Sequence, residues 1–241
     1  VRVPPTDKQT GSDAGDRPIT VFTPLQETFY REMYGELVGG GAVGVFHRLT
    51  HRSLERPYGP NDSFPRVIEL GSGSGEHFPF VRHSFEAYTM ADLREPPEMP
   101  DDPRVSFVEA DVHALPVESD SQDRLIATCL LHHLAEPFRA LEEMRRVVRP
   151  GGALSIMIVS DPGIAYRAIQ RMSSGRRYRK SGFNDWRALH AMEHRNHAWS
   201  LQQLIKYAFR NDELQGRGFP IPIASIWNFN LFSVYQVKLR R

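Results

Sequence analysis

Between Val67 and Val159 short apolar runs alternate with stretches of helical character, and this alternation constrains the fold more than any other feature of the chain. The runs are VIEL, AYTMA, VSFVEA, RLIATC and ALSIMIV, with helices expected over residues 76–84 and 137–148. Strands joined through helices pair in parallel, since a parallel pair needs a crossover that a tight turn cannot make. The expected fold class is therefore α/β, a doubly wound and mostly parallel sheet. One helix, in EPFRALEEMRRVVRPGG, carries its own boundaries. Pro137 sits in its first turn, Arg145, Arg146 and Arg149 lie late, and Pro150-Gly151-Gly152 is expected to stop it.

The flanks are read from pattern and composition. Residues 1–20 hold Pro, Gly, Asp and Thr with few large apolar groups and are expected to form a flexible tail, leaving 21–241 as a single domain. Leu25, Phe29, Met33 and Leu37 recur every four residues and predict a helix that the glycines at 39–41 stop; a second is expected over 43–54. Residues 161–200 read as an irregular insert after the fifth strand. Ser200, with Gln203 behind it, reads as the cap of a further helix, and SIWNFNLFSVYQVKL as a last strand or hairpin within 201–241. A net charge of +1 gives no footprint for a nucleic-acid polymer, so none is expected as partner. The single cysteine, Cys129, excludes an intrachain disulfide. No apolar run reaches the roughly 18 residues of a membrane span, and a cytoplasmic location is expected.

The stretch VIELGSGSGEHF runs a strand into Gly71, Gly73 and Gly75, with Glu69 two positions ahead. Glycine lets a ligand approach the backbone closely, and a strand-to-helix turn leaves N–H groups unpaired. A dinucleotide site uses G-x-G-x-x-G to seat a pyrophosphate, whereas here the third glycine comes one residue early. Glu69 would repel a phosphate by about 3 kcal/mol per charge at roughly 6 Å and an effective dielectric near 20. A ligand carrying positive charge suits the turn better.

E-L-G-S-G-S-G resembles motif I of the class I S-adenosylmethionine-dependent methyltransferases, and the order of later segments follows that family from Val67 to Ser160. The resemblance implies a Rossmann-like fold, N-terminal lid helices over 22–60, a cofactor-binding core over 65–160 and an acceptor site built by 161–200. It implies S-adenosyl-L-methionine as cofactor, its methionine end held by Glu69, Gly71, Ser72, Gly73 and Gly75. Asp92 would take the ribose hydroxyls and Asp111 the adenine amino group, with Val112 against the ring and Cys129 beside the cofactor at the end of the fourth strand. Glu76, His77 and Pro79 depart from the family, where many members carry a threonine and a small apolar residue.

Chemistry is expected outside the carboxyl ends of the strands. His132 and His133 follow the fourth strand, and a neutral imidazole can take a hydroxyl proton at neutral pH, with His132 as first candidate base. Asp161 ends the fifth strand, where it would orient a base, bind a hydroxyl or join a metal site. His194 and His197, three apart, would share one helix face toward a substrate or a metal, with Tyr30 reaching over from the lid. No metal is assigned; a divalent ion such as Mg is compatible with this set. GRRYRK at 175–180 reads as a solvated loop. The chain resembles the polysaccharide-pathway sugar O-methyltransferases of the methylmannose polysaccharide type, which implies a sugar or oligosaccharide hydroxyl as acceptor, with Trp227, Asn228, Phe229 and Asn230 near it. A natural-product, phenol or quinone methyltransferase is the alternative, and a catalytically silent cofactor-binding protein is a third reading.

Overall fold

A computed structural model describes residues 23–32, 41–172 and 185–240, with the backbone alone at 30–32 and 41–43. The tail over 1–20, Tyr34, the side chain of Tyr30 and the basic run 175–180 lie outside the described residues. The elements are α1 (Pro24–Glu32), α2 (Gly41–Glu55), β1 (Arg66–Leu70), β2 (Ala87–Asp92), β3 (Val105–Glu109), β4 (Gln122–Thr128), α3 (Pro137–Val147), β5 (Val148–Val159), α4 (Ile164–Met172), α5 (Trp186–Glu193), α6 (Ala198–Ala208), β6 (Glu213–Phe219) and β7 (Phe232–Lys238).

Seven strands form one sheet in the order β3-β2-β1-β4-β5-β7-β6. Strands β1 to β5 run parallel, and β7 is inserted antiparallel between β5 and β6. The winding reverses between β1 and β4, and in such sheets the crevice at the carboxyl end of that reversal receives the ligand.

Both faces are covered. On one, Leu141 and Met144 of α3 and Leu201, Ile205 and Phe209 of α6 and its cap join Ile68, Leu125, Leu154 and Ile156 in a single buried cluster. On the other, Leu54 of α2 is buried with Val67, Tyr88, Ile126 and Met157, and Phe46 meets Phe232 edge to face with ring centroids 5.7 Å apart. Helix α2, expected in the lid, is thus a layer of the fold.

Helix α2 takes the space in which the sequence predicts a different helix. The helix expected over 76–84 is absent, and only a 3₁₀ turn, Phe78–Phe80, follows the glycines. Pro79 cannot donate the bond that would propagate a helix, and the apolar face left open is filled by α2. Two boundaries also shift. Helix α3 ends at Val147 and the chain enters β5 directly, so Pro150-Gly151-Gly152 lies within the strand, where the β4–β5 register slips between Gln122 and Arg124. Helix α6 starts at Ala198 with His197, not Ser200, at its cap.

A buried ion-pair network fixes α2 to the sheet and to the glycine loop. The Arg124 guanidinium, fully buried in β4, donates to Glu55 Oε1 at 2.6 Å and Oε2 at 3.0 Å, and His77 Nε2 lies 2.9 Å from the same Oε1. Burial would raise the Glu55 carboxyl, but His77 and Arg124 hold it down at about 2. Glu55→Ala leaves Arg124 buried and unpaired, so urea unfolding is expected to show a loss of about 3–5 kcal/mol.

Candidate active site

The glycine turn begins where β1 leaves the sheet. Gly71, Gly73 and Gly75 all have positive φ (64°, 54° and 78°), a backbone that side chains rarely adopt. A Cβ on Gly71 would come within 2.9 Å of Leu130 Cδ1, and one on Gly75 within 3.2 Å of Met90 Cε. The turn is therefore both left-handed and tight. With no helix behind it, it offers no helix N-terminus to a pyrophosphate, in line with the preference for a cationic ligand.

Of the groups expected to hold the cofactor, Asp92 meets this turn directly. Asp92, at the end of β2, accepts from Gly73 N at 2.9 Å and Leu93 N at 2.7 Å, and an ionised carboxylate has capacity for further donors. Ser72 Oγ is buried and has no hydrogen-bond partner among the described residues. Asp111 accepts from His113 N at 2.9 Å and lies 2.6 Å from His113 Nδ1, while Val112 is buried in the core beside it. Cys129 takes a positive φ of 54°, strain of a kind that clusters at functional sites, and lies across the crevice at the end of β4. An orphaned hydroxyl, left-handed glycines and three carboxylates fit a ligand with an amino group, a sulfonium and a ribose.

Glu69 is 1% exposed and accepts from Tyr88 Oη at 2.6 Å. Burial raises its carboxyl to about 7, so near neutrality the charge is only half present until a cation arrives. A raised carboxyl stabilises the fold fully below its unfolded value and loses that contribution as pH rises through about 7. Glu69→Gln is therefore expected to gain on the wild type by about 2–3 kcal/mol between pH 5 and pH 8 in denaturant melts without ligand. Its affinity for S-adenosylmethionine should fall, and a rise in that affinity from pH 6 to 8 should be seen only with Glu69 present.

At the other side of the crevice a histidine cluster closes the ends of β4 and β5. His132 is 2% exposed, its ring centroid 4.0 Å from that of His133 and 4.5 Å from that of His194. Burial first, then His133, His194 and His190, pushes its proton affinity well below the usual histidine range. His133 is more open, and its Nδ1 lies 2.9 Å from Glu193 Oε2. Glu193 Oε1 in turn accepts from Gln26 Nε2 of α1 at 2.6 Å, which ties the N-terminal helix to the site. Asp161 Oδ2 is 3.2 Å from both His190 Nε2 and His194 Nδ1, and its Oδ1 accepts from Arg167 Nε at 3.3 Å. Burial would raise Asp161, but its bonds to His190 and His194 hold it well below the carboxylate range; burial lowers His194 to about 4.

The structure brings together His132, His133, Asp161 and His194, and leaves His197 exposed. His194 caps α5 and His197 caps α6, so the helix face on which the sequence reading set them does not exist. His190 and Glu193 were not singled out as members of the site. The signal for them is H-A-M-E-H at 190–194, two histidines four apart with the carboxylate between. The loop after α5 also holds the end of β4, since the backbone N–H groups of Arg195 and Asn196 both donate to His132 O, at 2.9 and 3.2 Å. Asn230, expected near a sugar, is fully buried and its amide is spent on Ile221 N and Ile223 O.

The chain is similar to known proteins in sequence and in fold. Residues 68–156 match the family described as methyltransferase domain. Among curated relatives, a demethylmenaquinone methyltransferase of Clavibacter sepedonicus is 31% identical over 105 residues, covering 41% of this chain and 43% of that protein. One of Chlamydia felis is 28% identical over 124 residues, covering 48% and 52%. The match thus spans about half the length of these relatives or less. Among solved structures, a chain from the complex of the Haloferax volcanii Trm112 methyltransferase activator with a methyltransferase superposes with a TM-score of 0.60 at 17% identity, over 92% of this chain and 100% of that one. The Haemonchus contortus phosphoethanolamine N-methyltransferase 2, solved with S-adenosylhomocysteine, gives 0.56 at 13%, over 91% and 61%. The [4+2]-cyclase SpnF gives 0.52 at 15%, over 83% of each chain. No helix among the described residues is long and apolar enough to cross a membrane. Residues 68–156 thus match a methyltransferase domain, and they lie in a sheet of the Rossmann-like class I methyltransferase fold.

Proposed function

We propose that the chain is an S-adenosylmethionine-dependent methyltransferase acting on a small-molecule acceptor whose ring hydroxyl is deprotonated at the histidine cluster, a phenol or quinol. Bound at the glycine turn, S-adenosylmethionine supplies an electrophilic methyl group, and its sulfur keeps the electron pair when the methyl leaves. The chain holds the cofactor through Asp92, the Gly71–Gly75 backbone and Glu69, whose carboxylate faces positive charge that a nicotinamide dinucleotide lacks on its phosphates. His133 takes the acceptor proton, and the Glu193 carboxylate, 2.9 Å from its Nδ1, faces the positive charge that forms on the ring. Deprotonation leaves electron density on the oxygen and on the ring carbons conjugated with it, either of which can attack the methyl carbon.

The observation that carries the reading is the pair of features at the carboxyl ends of two adjacent central strands, a glycine turn behind the buried Glu69 of β1 and, after β4, a histidine with a carboxylate 2.9 Å from its ring. Fold alone would not suffice, because the same architecture appears in a protein titled a cyclase. Relatives named demethylmenaquinone methyltransferases favour the quinol class. A sugar hydroxyl, the acceptor expected from sequence, draws less support once Asn230 is committed to its own loop. Titration calorimetry should show S-adenosylmethionine and S-adenosylhomocysteine binding, with no heat from NAD. Release of S-adenosylhomocysteine should then require an added acceptor.

A further inference from the structure

We propose that Asp161, His190 and His194 form a binding site for one divalent transition-metal ion of the zinc type, at the carboxyl end of β5. Each of the three residues offers one ligand atom, and these atoms lie within 4.8 Å of one another; Asp161 Oδ2 is close to both His190 Nε2 and His194 Nδ1. The carboxylate oxygen stands 3.2 Å from each nitrogen. Two ligands about 2.1 Å from one tetrahedral ion are roughly 3.4 Å apart, close to that spacing. A charge-assisted N–H···O bond is usually shorter, about 2.7–2.9 Å, and here two imidazoles crowd one oxygen.

The local sequence supports the same conclusion independently. His190, in the last turn of α5, and His194, its cap, stand four apart and bring their rings together, tilted by 42° with centroids 3.9 Å apart. Paired histidines at this spacing are how helical zinc sites present two nitrogens to one ion. The carboxylate between them, Glu193, is already engaged with His133 and Gln26, and the third ligand comes instead from β5. Outer contacts of the kind that orient metal ligands are in place. The Gln170 side-chain nitrogen lies 2.9 Å from His190 Nδ1 and 3.1 Å from its Nε2, so the carboxamide turns its oxygen to Nδ1 when Nε2 takes the ion, and Arg167 Nε donates to the second Asp161 oxygen, Oδ1, at 3.3 Å. In the same cluster His132 Nδ1 is buried with no hydrogen-bond partner among the described residues, a gap that a metal-bound water can fill.

Two nitrogens and one oxygen select a borderline ion over Mg or Ca, which take oxygen ligands. Three protein ligands leave a coordination position open, as in catalytic rather than structural sites. Its use rests on the methyl-transfer reading: an acceptor hydroxyl bound at that position loses its proton more readily, and His133 receives it. Binding itself does not depend on that reading.

The test uses the purified full chain, stripped with chelator, dialysed against Zn²⁺ or Mg²⁺, and assayed for metal by mass spectrometry and for Co²⁺ by visible absorption. One equivalent of Zn²⁺ is expected, with the intense absorption of four-coordinate Co²⁺ and no retention of Mg²⁺. His190→Ala and Asp161→Asn should each weaken Zn²⁺ binding more than 100-fold, Gln170→Ala by about 10-fold, and His197→Ala not at all. Melting of each metal-free variant separates lost binding from lost folding. Should His190→Ala fail to fold, Gln170→Ala and Asp161→Asn still decide the matter. Zinc binding that survives in folded Asp161→Asn and His190→Ala, an absence of stoichiometric Zn²⁺ in the wild type, or a preference for Mg²⁺ overturns the proposal. Loss of turnover with metal binding intact would count against the methyl-transfer reading alone.

Discussion

His133→Ala should lower kcat by about 10² to 10⁴, the usual worth of a general base, while S-adenosylmethionine affinity stays within a few-fold. The order of the two adjacent histidines follows from their surroundings. His132, first candidate by sequence, is buried among three other imidazoles that disfavour its charged form, so it holds a proton poorly. His133 is partly open and has a carboxylate 2.9 Å from its Nδ1. Glu193→Gln should therefore reduce kcat as well, by less than loss of the ring, and Gln26→Ala should do so more weakly because it acts only through Glu193. Rapid-quench measurement of a single turnover isolates the chemical step. Near-full activity in His133→Ala together with loss in His132→Ala would reverse the assignment.

The second large effect is expected at the glycine turn. Gly73→Val places a β-branched residue at a φ of 54°, with its Cβ 3.0 Å from Glu76 Oε2, and disturbs the N–H that donates to Asp92. Backbone strain of this kind costs about 1–3 kcal/mol, and the side chain occupies the space where the ligand meets the backbone. Affinity for S-adenosylhomocysteine is expected to drop at least 100-fold by calorimetry. The melting temperature should fall only modestly, because Gly73 lies outside both core clusters. Tight binding in a folded Gly73→Val would remove the turn from the cofactor site.

Periodicity carried the sheet because the central strands β1, β4 and β5 are buried on both faces and so read as continuous apolar runs, while β3 at the edge is only half-buried. The glycines were legible for a related reason: a left-handed turn admits few other residues. What stayed hidden depends on partners far apart in the chain. The helix over 76–84 fits local pattern, yet Pro79 breaks it and α2 fills its place through Phe46 and Leu54. Arg124 sits in an apolar strand, and nothing local announces that Glu55, 69 residues away, neutralises it. Glu193 likewise meets Gln26 across 167 residues. His190 escaped notice because its pairing with His194 is meaningful only once α5 is known to run up to Glu193, whereas the spacing of His194 and His197 suggested a helix that is broken between them.

The most direct test of the account uses S-adenosylmethionine carrying a deuterated methyl group. The purified chain is incubated with it and with demethylmenaquinol, a simple phenol or an oligosaccharide, and the products are weighed by mass spectrometry. The account predicts the labelled methyl on the quinol or phenol, with one S-adenosylhomocysteine formed per transfer and both lost in His133→Ala. Label on the oligosaccharide alone, or cofactor binding with no transfer to any acceptor, would contradict it.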